Sequence, residues 1–278
     1  MEKARTENGT LYYYESNDPI VNGLKNGLLF ADKNFDLLQH YSDKLNKSGC
    51  ILDIGAHIGS FASKALSDES IEINLVEADK KNFECLQKTF GNNKNVSLYN
   101  DIIYSKNRKI DFVENKGPFG WIVENESGKF DTTTLDFLFA KKKIKSIKID
   151  IEGSEILALD GAKEILKQKP VMLIEVNGYC LMQRDKTSND LLIKLKELGY
   201  NCFFPNKSNL LKINPESFFP FCVCDVLCVH KSESFKLNFS YLEEESCKEI
   251  YKNIKNSFNE NCQSYFNYLK NKNADLHI

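Results

Sequence analysis

The sequence predicts an α/β fold in which helices cover both faces of a mainly parallel sheet. From Cys50 onward, short runs of apolar and β-branched residues alternate with stretches whose apolar residues have helical spacing, and this alternation is typical of parallel sheets. Hydrophobic residues make up 42% of the chain and charged residues 27%, which is the composition of an ordinary globular protein. A disordered, collagen-like or coiled-coil chain is therefore disfavoured.

The predicted strands share a high content of apolar and β-branched residues. They lie at residues 50–54, 72–77, 96–100, 144–151, 171–176, 201–205 and 222–230. The predicted helices share an apolar period close to 3.6 residues. They lie at residues 60–66, 81–90, 134–142, 154–168 and 188–198. A further strand pair is predicted within residues 109–125, before the helix at 134–142.

The domain organisation follows from where this alternation begins and ends. We expect one main α/β domain over residues 49–232. Residues 1–48 are predicted to form a helical lid or flap. Residues 233–278 are polar, helix-prone and weakly periodic, so we expect a helical tail.

Charge and apolar patterning limit the partners of the chain. Lys+Arg number 37 and Asp+Glu 39, for a formal net charge of -2, which disfavours nucleic acid, because nucleic-acid binding proteins usually carry a basic excess. No apolar stretch approaches the roughly 18 residues that a membrane-spanning helix needs. The nine cysteines follow no secretory signal, so we expect free thiols in a reducing compartment. These features predict a cytoplasmic protein without a membrane span.

The most informative motif is the turn after the first predicted strand. It contains Asp53, Gly55 and Gly59 in the run Asp-Ile-Gly-Ala-His-Ile-Gly. A dinucleotide-binding fingerprint has a glycine where Asp53 stands, so an NAD-dependent dehydrogenase is disfavoured. A carboxylate there would repel a pyrophosphate but suits a ligand that presents an ammonium group, such as S-adenosylmethionine (SAM). The alternative is a glycine turn that only reverses the chain.

Polar residues after the next two strands fit the rest of such a ligand. Glu77 ends the second strand, where an acidic side chain can accept hydrogen bonds from ribose hydroxyls; the alternative is an ordinary strand-end carboxylate. Asn82 follows at a helix start, where it could also be a simple cap. Asp101 and Ile102 follow the third strand, and we expect them to contact the adenine amino group and ring face.

Carboxylates also end the fourth and fifth strands. Asp150 and Glu152 follow the fourth strand, and Glu175 and Asn177 end the fifth. Open α/β sheets bind ligands at the carboxyl ends of their strands. We therefore expect these four side chains to act as oxygen ligands or as a base with its orienting partners. Glu155 more simply complements the positive end of the following helix.

Several of these motifs together resemble the FkbM family. They are Asp-Ile-Gly-Ala-His-Ile-Gly at 53–59, Val-Glu-Ala-Asp at 76–79, Thr-Thr-Leu-Asp at 133–136, Lys-Ile-Asp-Ile-Glu-Gly-Ser-Glu at 148–155, Ile-Leu-Ala-Leu-Asp-Gly-Ala at 156–162 and Ile-Glu-Val-Asn at 174–177. The resemblance covers residues 17 to 230. It implies a SAM-dependent methyltransferase with a class I, Rossmann-like fold, whose seven-stranded sheet is mostly parallel and has an antiparallel last strand. The sequence departs from the family mildly, with Ala78 for a frequent proline and His57 for a frequent asparagine.

The resemblance also implies which residues hold the cofactor. The implied cofactor-binding residues are Asp53, Gly55, Ala56, His57, Gly59, Glu77, Ala78, Asn82, Asp101, Ile102 and Asp150. FkbM proteins mostly methylate hydroxyl groups of sugars, glycans or natural products. The predicted function is therefore O-methylation of a small-molecule or glycan acceptor.

Methyl transfer from a sulfonium requires in-line alignment, and an attacking hydroxyl must also lose its proton. Asp150 is the predicted base, with Glu152 and Glu175 as further catalytic residues. Alternatively, Asp150, Glu175 and Asn177 bind Mg²⁺, by analogy with catechol-type O-methyltransferases. His57 is a second candidate base, or simply a turn residue.

Two other functions remain open from the sequence. The acceptor could be a protein, or the chain could be a non-catalytic scaffold that keeps the Rossmann-like shell. The aromatic residues Phe119, Trp121 and Tyr12 to Tyr14 could stack on an acceptor, or Trp121 could only pack the inserted strand pair. The sequence does not indicate the oligomeric state.

Overall fold

The computed structural model describes residues 1–29, 32–113, 121–123, 128–206, 209–217, 219–243, 245–248 and 260–272. The chain divides into two compact units. The first comprises Met1–Ile151 and Leu157–Met172, and the second comprises Glu152–Ile156 and Leu173–Ile278. Within the described residues, no helix is long and apolar enough to cross a membrane.

The first unit opens with a hairpin, although the sequence predicted only helices there. Strand β1 (Glu2–Arg5) pairs antiparallel with β2 (Thr10–Tyr13), and the buried side chains of β2 alternate, as a half-buried strand requires. Helices α1 (Pro19–Lys25) and α2 (Asp32–Lys44) follow. The segment predicted to be a helical lid or flap is therefore part strand and part helix.

The hairpin also decides the role of the tyrosine run. Tyr13 is buried, and the hydroxyl of Tyr14 donates to Glu84 at 2.8 Å. The ring of Tyr12 lies under the ammonium of Lys88, 5.7 Å away. All three rings thus contact the protein itself, and the expectation that this run forms an acceptor-stacking platform is wrong for Tyr13.

Four parallel strands form the core of the first unit. Their order is β10 (Ile144–Ile149), β3 (Cys50–Ile54), β4 (Ile73–Val76) and β5 (Val96–Tyr99). Every residue of β3 and β4 is buried, which explains why these strands are mostly apolar rather than alternating between apolar and polar residues. The parallel register places Lys148 beside Asp53.

The helices of this unit begin where side chains cap them. Asp79 accepts the Asn82 N–H at the start of α3 (Lys80–Phe90), and Thr134 caps α4 (Leu135–Phe139). The predicted helix at 60–66 is a 3-10 helix (Phe61–Leu66), and Ser60 before it makes no side-chain cap.

The predicted helix at 154–168 is two helices, α5 (Glu155–Asp160) and α6 (Lys163–Leu166). Gly161 lies between them, packed so closely that a Cβ would be 2.5 Å from the carbonyl oxygen of Tyr104. The carboxylate of Asp136 accepts the first N–H groups of α6 at 2.9 Å. A helix restart is therefore built into this segment by tertiary contacts.

A second, small sheet in the first unit contains the predicted strand pair. Its order is β6 (Ile102–Ile103), β9 (Phe130–Thr133), β7 (Lys109–Val113) and β8 (Trp121–Val123). Strands β7 and β8 pair antiparallel, which confirms the pair. Phe119 and the side chain of Trp121 lie outside the described residues.

The second unit holds the remaining strands. Their order is β15 (Ser240–Tyr241), β13 (Asn209–Lys212), β12 (Tyr200–Asn206), β14 (Val223–His230) and β11 (Val171–Asn177). Strand β14 runs antiparallel to β12, as predicted for the last strand of the core. All seven predicted core strands are thus present, four in the first unit and three in the second, and β13 and β15 are additional.

The helices of the second unit include α7 (Gly178–Met182), α8 (Ser188–Glu197) and α9 (Glu260–Lys272). A reciprocal capping box between Thr187 and Asp190 starts α8. The predicted helical tail contains a 3-10 turn at Ser234–Lys236 and the strand β15 as well as α9.

All nine cysteines lie within the described residues, and none of them forms a disulfide. Cys202 and Cys228 lie opposite one another on β12 and β14, with their sulfurs 3.8 Å apart. Burial raises the pKa of Cys228 well above its usual value. These thiols therefore pack as small apolar groups.

Candidate active site

The turn after β3 requires glycine at both of its glycine positions. Gly55 has φ 83°, and a Cβ there would lie 1.8 Å from the carbonyl oxygen of Asp150. Gly59 has φ 89°, and a Cβ there would lie 2.4 Å from the ring of Phe90. The first glycine lets β10 approach the turn and the second lets α3 approach it.

The backbone of this turn is not arranged to hold a phosphate. The N–H groups of Gly55 and Ala56 both donate to the carbonyl of Val76, at 2.9 and 3.0 Å. A phosphate-binding turn leaves such N–H groups open for its ligand. The geometry therefore agrees with the sequence-based preference for a ligand other than a dinucleotide.

His57 connects this turn to two carboxylates. It has φ 52°, a left-handed conformation that asparagine and histidine tolerate better than most residues, so its replacement of the frequent asparagine is conservative in backbone terms. Its backbone N–H donates to Glu77 Oε2 at 2.7 Å. Its Nε2 atom lies 3.4 Å from Asp18 Oδ2. The imidazole thus faces the N-terminal segment, which favours a turn residue over a base.

Nearby negative charges affect the pKa of His57 more than burial does. Burial lowers the pKa of His57, but the hydrogen bond and charge of Asp18, together with the charge of Glu77, leave that pKa raised. The pKa of Asp18 is correspondingly lowered by His57 and by the N–H groups of Val21 and Ile20, despite burial, which raises it. The pair is an ion pair at mildly acidic pH.

Glu77 is held in one orientation by backbone donors. Its Oε1 accepts the N–H of Asp79 at 2.8 Å while Oε2 accepts the N–H of His57. Burial raises the pKa of Glu77, although His57 and these two N–H groups lower it. Each carboxylate oxygen keeps a further lone pair. Glu77 is therefore preset to accept hydrogen bonds from a pair of hydroxyls.

The residues after β5 extend this side of the site. The side-chain amide of Asn100 donates to the carbonyls of Glu77 and Ala78, at 2.8 and 3.3 Å. Ile102 and Ala78 belong to one apolar cluster, and burial raises the pKa of Asp101. The structure thus joins the predicted ribose and adenine segments through Asn100, a contact that no sequence spacing indicates.

Asn82 does not cap the helix on which it lies. Its backbone N–H is the donor in the cap of α3, and Asp79 is the acceptor. The alternative reading of Asn82 as a cap is therefore wrong. Its cofactor role stays a prediction.

Asp53 is a fully buried carboxylate. Its exposure is 0%, and within the described residues neither of its oxygens has a hydrogen-bond partner. The ammonium of Lys148 lies 3.7 Å from Oδ1. Burial raises the pKa of Asp53 from 3.8 to about 6, against the lowering effect of Lys148. At neutral pH the group is therefore ionised and depends on the lysine charge.

Lys148 is the central residue that the sequence reasoning missed. Its ammonium lies 3.0 Å from Asp150 Oδ2 and 5.6 Å from the centre of the Phe61 ring. Asp150 keeps 31% side-chain exposure, while Lys148 keeps 7%. The available signal was a lysine between two isoleucines of a central strand, two residues before Asp150 and thus on the same face.

In the second unit, Glu152 and Asn177 form one hydrogen-bonded network. The amide of Asn177 donates to Glu152 Oε2 at 3.1 Å, and its oxygen accepts the N–H of Cys180 at 3.2 Å. The Cys180 thiol also lies 3.1 Å from Glu152 Oε2. Glu175 lies on β11, half-buried. Glu155 accepts the N–H of Gly153, in the first turn of α5 as predicted.

Two of the three predicted Mg²⁺ ligands already have partners within the protein. The oxygen of Asn177 already caps α7, and Asp150 is already paired with the ammonium of Lys148. Hard cations need several available oxygens at once. A second positive charge beside Lys148 would also be repelled. No step of the reaction is therefore assigned to a metal.

The match to a family model decides the class of protein. The model described as methyltransferase FkbM domain matches residues 53–202, more than half of the 278 residues. The chain belongs to the FkbM methyltransferase family. This FkbM protein is therefore a SAM-dependent methyltransferase, as the motifs predicted.

Solved structures similar to this FkbM chain are also methyltransferases. A SAM-dependent O-methyltransferase from Thermotoga maritima shares 14% identity over 82% of this chain and 77% of its own, with a TM-score of 0.40. TYW2 from M. jannaschii, in complex with AdoMet, shares 14% identity over 74% and 78%, with a TM-score of 0.35. Precorrin-6y C5,15-methyltransferase from Geobacter metallireducens shares 14% identity over 70% of this chain and 88% of its own, with a TM-score of 0.38. At these TM-scores the acceptors of the three proteins do not bear on this chain. The search of curated proteins found no match.

Proposed function

We propose that this FkbM methyltransferase transfers a methyl group from SAM to a hydroxyl of a sugar, glycan or related small molecule. The observation that carries the proposal is the position of Asp150. Its N–H donates to Ile54 at 3.0 Å, beside the cofactor turn, and its carboxylate is partly exposed. A hydroxyl acceptor needs such a carboxylate next to the methyl donor, because it must lose a proton on attack.

The proposed cofactor contacts follow the strand ends of the first unit. Glu77 accepts the ribose hydroxyls, since both its oxygens are oriented by backbone donors. Asp101 and Ile102 contact the adenine. Asp53 supplies negative charge for the methionine ammonium of SAM, acting from beneath the surface because it has no exposure of its own.

The proposed reaction is a single in-line displacement. The acceptor oxygen forms a bond to the methyl carbon while the bond from that carbon to the sulfonium sulfur breaks, which leaves S-adenosylhomocysteine. The hydroxyl proton passes to Asp150. Glu152 and Glu175 orient the acceptor, and the hydrogen bond from Asn177 sets the position of Glu152. Most of the catalysis is alignment.

The proposal also covers the class of methyl acceptor and the cellular location of the protein. The balanced charge of the chain favours a small molecule or glycan over nucleic acid. The nine free thiols favour a cytoplasmic location, where thiols stay reduced. We also propose that residues 49–232 form the methyltransferase domain, with residues 1–48 and 233–278 as appended segments.

The test has a binding step and a transfer step. Calorimetric titration with SAM and with S-adenosylhomocysteine should show binding of both; a chain that binds neither would be a scaffold. Transfer of labelled methyl is then screened over sugars, glycans, hydroxylated metabolites and proteins. We expect labelling of a hydroxyl compound by wild type and at least a hundredfold slower labelling by Asp150→Asn. Labelling of protein alone would support the alternative acceptor, and normal turnover by Asp150→Asn would remove the base.

A further inference from the structure

Three charged groups lie at neighbouring strand ends of the first unit. The ammonium of Lys148 stands between the carboxylates of Asp53 and Asp150, 3.7 and 3.0 Å away. The register pairs Lys148 with Asp53 across β10 and β3, and Asp150 follows two residues later on the same face. The strands themselves therefore set the order carboxylate, ammonium, carboxylate.

The three charged groups differ in their exposure to solvent. Asp53 is 0% exposed and Lys148 is 7% exposed, whereas Asp150 keeps 31% exposure. A buried carboxylate without a cation beside it takes up a proton and loses its charge. Lys148 thus keeps the inner carboxylate charged while it holds the outer one in place.

We propose that Lys148 is a positioning residue for methyl transfer: through Asp53 it sets the negative charge that attracts the SAM ammonium, and through Asp150 it orients the carboxylate that accepts the proton. This role rests on the proposed function. In this role the ammonium of Lys148 supplies a positive charge directly beside Asp150.

The proposal predicts coupling between Lys148 and Asp53 in cofactor binding. In Lys148→Met, Asp53 becomes neutral, so SAM should bind about tenfold more weakly. In Asp53→Asn, Lys148 loses one of its two carboxylates and its excess positive charge repels the SAM ammonium. The double variant, which combines Lys148→Met with Asp53→Asn, lacks both the ammonium and the inner carboxylate. We therefore expect the double variant to bind SAM at least as tightly as Asp53→Asn does, rather than showing the product of two losses.

A kinetic readout separates positioning from mere folding. Lys148→Met should raise KM for SAM, through Asp53, and lower kcat, through Asp150. A purely structural lysine would lower the fraction of active protein and leave KM unchanged. Lys145→Met is the matched control, because Lys145 lies on the same strand and pairs with Asp43 at 2.7 Å, away from the cofactor turn. This control should keep wild-type KM and kcat.

The outcomes are distinguishable. Folded Lys148→Met that binds SAM as wild type does, or losses that multiply in the double variant, would overturn the role of Lys148 alone. Wild type that binds neither SAM nor S-adenosylhomocysteine would overturn the proposed function together with this role. If Lys148→Met does not fold, SAM binding by Asp53→Asn and by the double variant still tests the role of Lys148. Weaker SAM binding by the double variant than by Asp53→Asn contradicts the proposal.

Discussion

The Nε2 atom of His57 lies 3.4 Å from Oδ2 of Asp18, and this contact joins the turn after β3 to the N-terminal segment. Asp18 also caps α1, since its Oδ1 accepts the N–H groups of Ile20 and Val21 at 2.7 and 3.2 Å. One carboxylate therefore connects the start of α1 to the turn after β3.

This contact predicts a pH-dependent contribution to stability. The raised pKa of His57 means that its contribution is present below pH 6.5 and is lost as pH rises through the folded-state pKa. The lowered pKa of Asp18 means that its contribution is present above pH 3.8 and is lost as pH falls through its folded-state pKa. Asp18→Asn should thus lower the free energy of unfolding by about 0.5–1 kcal/mol at pH 5, and by less at pH 8.5.

Urea unfolding at the two pH values measures this effect. Asparagine retains the helix cap, so the substitution isolates the charge. His57→Asn is the partner variant, because asparagine keeps the left-handed backbone conformation. An equal loss at both pH values would show that the ion pair contributes nothing.

Asp53 predicts a second pH dependence of stability, which also falls as pH rises but over a more acidic range. Its pKa is raised by burial from 3.8 to about 6, so the folded protein loses stability as pH rises through this interval. Asp53→Asn lacks this loss. Relative to the variant, wild type should lose about 3 kcal/mol between pH 3 and pH 8.

SAM binding should respond to Asp53 in the other direction. The carboxylate is charged only above about pH 6, so the affinity of wild type for SAM should rise from pH 5 to pH 7. Titration calorimetry at both values measures this. A rise of the same size in Asp53→Asn would assign the effect to another group.

Gly55 should tolerate no side chain. The Cβ of Gly55→Ala would lie 1.8 Å from the carbonyl oxygen of Asp150, at φ 83°, so β3 and β10 would have to separate. We expect loss of SAM binding and a fall in unfolding free energy above about 3 kcal/mol. Gly27→Ala is the control, since Gly27 has φ 74° but nothing within 4 Å of its Cβ; it should lose only about 1 kcal/mol.

Tyr265 should anchor the C-terminal helix to the second unit. Its buried hydroxyl accepts the N–H of Ser188 at 2.9 Å and donates to the Ser188 hydroxyl at 2.8 Å. Tyr265→Phe leaves that N–H unsatisfied, so we expect a loss of about 1–3 kcal/mol in unfolding free energy. Tyr268→Phe is the matched control, because its hydroxyl bonds Asp185 at the surface. Equal effects of the two variants would contradict the anchoring role.

Methyl transfer should not depend on a divalent cation. Asn177 is committed to capping α7 and Asp150 to Lys148, so EDTA should leave the rate unchanged within twofold. Activity that EDTA abolishes and Mg²⁺ restores would reverse this assignment.

Local patterns were enough to predict the strands and the turn. The runs at 50–54 and 171–176 are mostly apolar and mostly buried, as expected of strands inside a parallel sheet, so their composition alone indicates strands. The spacing of Asp53 and the two glycines of the turn was enough to predict a ligand other than a dinucleotide. The helix break at Gly161 was not predictable, because the contacts around it are with Tyr104, 57 residues earlier in the chain, and with Asp136.

The sequence by itself determined the α/β class, the strand ends and the family, because hydrophobic period, turn glycines and motif spacing are properties of neighbouring residues. Only the tertiary structure decided that Lys148 stands between Asp53 and Asp150, that His57 meets Asp18, and that Tyr265 seats the tail. The physical reason is that ion pairing and burial depend on distances between residues far apart in the chain. These distances are set by strand register and packing, which no local pattern contains.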